Sequence, residues 1–191
     1  MIPTHPKASW AASLIKGVQA FPEFEGRIAA LSVAKDRGDA FEVFVEAYLA
    51  TQTISQAEAI WASDTAPVDI RKELNLPVSD YGADGVYRDR SGNMIIYQAK
   101  FRTGRPALSW RELSTFFGIA EKADRLVLFT NSDAIAKVAE ERTGFHTFRG
   151  SDFERLEPAD FARMTDWLET GVVAPTKREP RPHQQEALAN I

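Results

Sequence analysis

The chain has 191 residues, 44% hydrophobic and 26% charged, with 11 Gly and 10 Pro; this composition excludes a disordered tail, a collagen-like fibre or a low-complexity scaffold and suits one globular domain plus linker. With no Cys and three separated histidines (His5, His146, His183), it has no disulfide framework, no thiolate metal site, no cysteine nucleophile and too few ligands for an ordinary zinc site. A net charge of −4 does not advertise nucleic-acid binding by itself; without a long apolar run or a basic-then-apolar leader, the expected location is the cytoplasm, with no membrane partner.

In chain order, residues 9–20 read as a short helix broken at Phe21-Pro22. Helical spacing then runs from 23 to 52 through Ile28, Leu31, Phe41, Phe44, Val45, Tyr48 and Leu49, interrupted at Gly38, which predicts two helices or one bent one. Residues 57–62 read as a short strand or an extended segment around Trp61, and Pro67 opens a helix to about Leu74. Two β-like runs, 83–88 and 94–101, flank a turn at 89–93. An amphipathic helix at 108–122 with Ser109 as cap follows, then an apolar strand at 125–130 (RLVLFT), buried on both faces. Ser132 or Asp133 caps a helix at 134–142, 145–148 is a last strand, and a helix at 160–170 ends at Gly171. The order predicts an α/β fold, a central mixed β-sheet flanked by helices.

The chemistry concentrates on the hairpin. Asp84-Gly85 is followed 14 positions later by Gln98-Ala99-Lys100. Gln98 and Lys100 are i, i+2 and share one sheet face, while the hairpin folds them back beside Asp84. A carboxylate and an amide oxygen suit a hard cation such as Mg²⁺. An ammonium beside them can orient or deprotonate an attacking water, or steady charge developing on phosphorus. Glu42, on the long helix, is polar among Phe41, Phe44 and Val45. Between Asn93 and Arg111 no acidic residue occurs, while Lys100, Arg102, Arg105 and Arg111 are basic.

The ordered set Phe41-Glu42, Asp80-Tyr81-Gly82-Ala83-Asp84-Gly85, Tyr97-Gln98-Ala99-Lys100-Phe101 and Leu128-Phe129-Thr130-Asn131 resembles the restriction-endonuclease-like PD-(D/E)xK superfamily, in its Mrr-like branch where Gln replaces the second acid. The resemblance spans about residues 35 to 150. It implies the restriction-endonuclease-like fold, hydrolysis of double-stranded DNA with Mg²⁺ or Mn²⁺, and Asp84, Gln98, Lys100 and Glu42 as catalytic residues. Asp84, Gln98 and Glu42 are then the metal ligands, with Asp80 as an additional candidate. The basic lip at Arg102, Arg105 and Arg111 is expected to face the DNA backbone.

After Gly171 three prolines and a basic cluster read as a linker. Arg181-Pro182-His183-Gln184-Gln185-Glu186-Ala187 resembles the adenine-recognising Q motif of superfamily 2 helicases, which makes Gln184 an ATP contact of a motor whose phosphate-binding loop is not in this sequence. The expected organisation is a nuclease domain over 1–170, a linker over 171–182 and a truncated start of a helicase or translocase at 183–191. A nuclease ahead of such a motor resembles Type ISP restriction-modification enzymes and related defence helicases, which implies ATP use by the motor and methyltransferase and target-recognition regions on the same polypeptide. The alternative reading is a catalytically weak DNA-docking or assembly module on the same fold, which the acidic net charge favours. No hydrolase motif independent of metal is present.

Overall fold

The computed structural model describes residues 1–77, 82–119 and 121–173. Asp80, Gln184 and the predicted segments beyond residue 173 lie outside them. Helices α1 (Ala8–Ile15), α2 (Phe21–Ala29) and α3 (Ala34–Thr51) lead into strand β1 (Ala57–Ala62) and a short helix α4 (Val68–Glu73). The hairpin strands β2 (Gly85–Asp89) and β3 (Met94–Lys100) follow, then α5 (Trp110–Ile119), β4 (Arg125–Thr130), α6 (Lys137–Glu140), β5 (Phe145–Phe148), α7 (Gly150–Phe153) and α8 (Pro158–Thr170). The strands form one sheet in the order β1-β2-β3-β4-β5; β1, β2 and β3 pair antiparallel, and β3, β4 and β5 pair parallel.

Alternation along β3 explains how the sheet divides the interior. Ile95 and Tyr97 face a core built from α1, α2, α3 and α8, with Phe21, Phe24, Phe41, Phe44, Phe161 and Trp167 fully buried. Ile96 faces a second core with Leu113, Phe116, Phe117 and Leu128. The strand is apolar on both sides because helices cover both sides.

The helical spacing of residues 23–52 is two helices, but the break falls at 30–33 and not at Gly38. Val33 is extended, and the turn lets Phe24 of α2 meet Phe44 of α3 with ring centroids 4.8 Å apart. Pro22 does not break a helix; it sits in the first turn of α2, where its missing N–H costs nothing. The helix expected over 134–142 shrinks to four residues because Ile135 bridges Leu108 and the Ala136 amide donates to the Leu108 carbonyl, which holds the backbone extended until residue 136. Asp133, expected as its cap, accepts the Ser151 amide instead.

Candidate active site

The hairpin holds Asp84 by its backbone and its side chain. Its amide donates to the Tyr97 carbonyl at 3.0 Å, and its carbonyl accepts the Ser63 amide at 3.1 Å. Its Oδ2 accepts the Ala99 amide at 2.6 Å, which ties the carboxylate to the strand between Gln98 and Lys100. The neighbouring residue must be glycine: a Cβ on Gly85 would stand 2.3 Å from the Tyr97 hydroxyl oxygen, because that ring lies across it. Burial, then the charges of Glu46, Asp84 and Glu42, push the Tyr97 phenol well above its ordinary pKa, so the ring stays neutral at the edge of an acidic cluster.

Gln98 is 3% exposed. Its Nε2 donates to the Gly82 carbonyl, which fixes the amide orientation and leaves Oε1 buried with no hydrogen-bond partner among the described residues. Lys100 closes β3 opposite Thr130. The chain beyond it is pinned by Asn131, whose side chain accepts the Arg102 amide at 2.7 Å and donates to the Arg102 carbonyl at 2.8 Å, extending the β3–β4 pairing by one side chain.

From Asp39 to Thr51, Glu42 is the one residue of α3 that is not buried. It opens with Asp84 into a cleft of about 220 Å³ that His5, Lys7, Lys35 and Asp39 also line. The structure thus brings Glu42 and Asp84 together. Gln98 and Lys100 do not line this cleft; by strand alternation they share the Ile96 side of β3, and Gln98 lies beside Gly82 and α5.

His5, Asp39 and Glu42 offer ligand atoms within 4.8 Å of one another. Asp39 is a poor ligand, however, because Lys7 (2.7 Å) and Lys35 (2.8 Å) already hold both its oxygens. Burial alone would raise the Asp39 pKa, but hydrogen bonds from Lys35 and Lys7 outweigh it and keep the carboxyl below its ordinary value. The Asp36 and Asp39 carboxylates raise the Lys7 ammonium correspondingly. Lysine charge therefore fills the Asp39 end of the cleft.

The basic lip is less open than its sequence implies. Arg105 is enclosed by Glu25, Glu154 (2.6 Å) and Asp133 (3.3 Å). Arg102 pairs with Glu112 at 2.8 Å. Arg111 is exposed.

The same arrangement of sheet and helices occurs in two solved structures. One is an ATP-dependent Type ISP restriction-modification enzyme, LlaBIII, bound to DNA: 20% sequence identity over 91% of this chain and 11% of that one, TM-score 0.62. The other is the DNA modification-dependent restriction endonuclease AspBHI: 17% identity over 90% of this chain and 42% of that one, TM-score 0.50. The fold is that of restriction endonucleases. No family model matches the sequence, and no curated protein matches it. The chain spans about a tenth of the length of the Type ISP enzyme, 11%, and 42% of AspBHI. Among the described residues no helix is long and apolar enough to cross a membrane.

Within this restriction-endonuclease fold, sequence reasoning overlooked the residues around Glu42. His5, one of three separated histidines, places Nε2 3.2 Å from Glu42 Oε2. Asp36, Asp39, Glu42 and Glu46 recur at spacings of three and four and so form one stripe along α3, a pattern available in the sequence. Its partners were not, because Thr4, His5 and Lys7 reach it from more than 25 residues away.

Proposed function

We propose that the chain is a DNA endonuclease domain of the Mrr-like PD-(D/E)xK type, hydrolysing phosphodiesters with a Mg²⁺ or Mn²⁺ ion held by Asp84 and Glu42. The observation that carries this reading is the convergence of Asp84, at the start of the hairpin, and Glu42, from α3, on one cleft, which Asp64 also lines and where Asp39 is already held by two lysines. The donors fit a hard cation, which takes few protein oxygens and keeps several waters. Outside that cleft, on the Ile96 side of β3, the orphaned Oε1 of Gln98 is a buried acceptor whose desolvation costs about 1–3 kcal/mol when unmet, which fits a water-holding role at the far edge of the site.

When bound, the ion would neutralise phosphate charge and make water more acidic. The protein's own part is positional. The Ala99 amide fixes the Asp84 carboxylate, Gln98 Oε1 orients water, and Lys100 steadies the negative charge that grows on phosphorus as the water-derived P–O bond forms and the ester P–O bond breaks. Arg111, and Arg102 when it exchanges Glu112 for phosphate, would contact the backbone of double-stranded DNA.

The commitment of Arg105 and Arg102 to carboxylates, with a net charge of −4, supports delivery of DNA by other regions: an ATP-driven helicase motor contacting adenine through Gln184, and methyltransferase and target-recognition regions of the same polypeptide. The same observation favours the second reading, a DNA-docking module. Plasmid nicking at low salt with Mg²⁺ or Mn²⁺ separates them. Nicking that Asp84→Ala and Glu42→Ala each lower by about two orders of magnitude supports the nuclease; duplex binding without nicking under either metal supports the docking module; undiminished nicking by Asp84→Ala overturns the metal site.

A further inference from the structure

The segment Thr4–Lys7 crosses the cleft as a strap and is fastened at both sides. On α3, Glu46, 1% exposed, accepts the Thr4 amide at 2.6 Å and the Thr4 hydroxyl at 2.5 Å through Oε1, and the His5 amide at 3.1 Å through Oε2. A buried carboxylate is costly unless several donors meet it, and here the strap supplies them. On the sheet, the Thr4 hydroxyl oxygen accepts the amide of Ala62, the last residue of β1, at 2.8 Å. Strap, helix and strand end are therefore one unit.

This anchoring fixes the His5 ring. The Lys7 amide donates to Nδ1 at 3.1 Å, so the ring proton sits on Nε2, which donates to Glu42 Oε2 at 3.2 Å; the side chain is 9% exposed. Both nitrogens are thus engaged, and neither presents a lone pair to a metal. A metal-ligating group is commonly oriented by such an outer hydrogen bond.

We propose that His5 is a positioning residue of the metal centre, holding the Glu42 carboxylate so that its other oxygen faces the cleft beside Asp84. The inference rests on the reading of Glu42 and Asp84 as metal ligands. Lys7, two residues on, pairs with Asp36 and Asp39 and so takes those two carboxylates out of competition for the cation.

Direct Mn²⁺ binding to the chain without DNA, read by the loss of free-ion EPR signal, tests this independently of cleavage. His5→Phe keeps a ring of similar bulk but lacks the donor, and should weaken Mn²⁺ binding by about 10-fold or more, the scale for losing an outer hydrogen bond to a ligand. His5→Gln, which can donate to Glu42, should bind within about 3-fold of the wild type, and the Mg²⁺ concentration for half-maximal nicking should follow the same order. Wild-type affinity in His5→Phe overturns the proposal, as does equal weakening in His5→Gln and His5→Phe. If the wild type and Asp84→Ala bind Mn²⁺ equally, the metal assignment itself is overturned, an outcome distinct from the failure of His5 alone.

Discussion

Arg105, in the loop after β3, forms an ion pair with Glu25 of α2, 80 residues away in the chain, and the same guanidinium meets Glu154 and Asp133. It also lies 5.8 Å from the centre of the Phe21 ring. One side chain thus ties together α2, the loop leaving β3 and the region after α7. The hydrogen bonds that Arg105 donates to Glu25 push its already high pKa upward; burial opposes them, and the bond to Glu154 adds to the rise.

Arg105→Ala is therefore expected to destabilise the fold by about 2–3 kcal/mol, below the full cost of breaking a buried pair because the arginine remains 24% exposed. Urea unfolding measures it. Arg111→Ala should leave stability unchanged, weaken duplex binding and reduce the slope of log affinity against log salt by about 1. An unchanged slope would remove Arg111 from the DNA-facing surface.

Lys100→Ala should separate chemistry from binding. Duplex affinity is expected to stay within a few-fold while nicking falls by about two orders of magnitude, the scale for losing one charge partner of a transition state. A parallel collapse of both would make Lys100 a phosphate anchor only.

Gln98→Met tests whether the orphaned oxygen is kept for function. The substitution removes both the unmet acceptor and the hydrogen bond to the Gly82 carbonyl, so the two effects offset and stability should change by less than about 1 kcal/mol. Nicking should fall by at least about 10-fold if that oxygen orients water or ligates the ion.

Glu112 gives an acid-stability prediction with a definite sign. The Ser109 amide, the Ser109 hydroxyl and Arg102 hold its carboxyl down at about 2. Its contribution is fully present above the ordinary glutamate value of about 4.3 and is lost as pH falls from there towards 2. Glu112→Gln should therefore lower the urea midpoint at pH 7, and the gap from wild type should narrow at pH 3. A gap that widened on acidification would contradict the assignment. With the side chain 34% exposed, solvent screening keeps the effect small.

The sheet strands were legible because they are short apolar runs between turn residues; β4 was expected at 125–130 and spans Arg125–Thr130. Helix limits were less so, since the 30–33 turn is set by Phe24 packing on Phe44 and the shortening of α6 by the bridge to Leu108, both contacts between distant residues. The candidate site residues divide in the same way. Asp84, Gln98 and Lys100 sit on one hairpin, where period-two alternation relates them, and Glu42 stands out as a polar residue in an apolar helix. His5 and Lys7 come from the other end of the chain and carry no local pattern. The basic stretch misled in the opposite direction: freedom from acids in sequence is not freedom from acids in space, because Glu25, Glu154 and Glu112 arrive from elsewhere.

Glu42 is carried by α3, which packs on one side of the sheet, and Gln98 lies beside Gly82 and α5 on the other. A site built across that seam depends on the registration of two separately packed halves, and a shift of about 1 Å between them would be enough to spoil catalysis. Thermal inactivation should consequently precede melting: nicking should decline several degrees below the midpoint of the far-ultraviolet transition. The loss should reverse on cooling, because neither half has come apart.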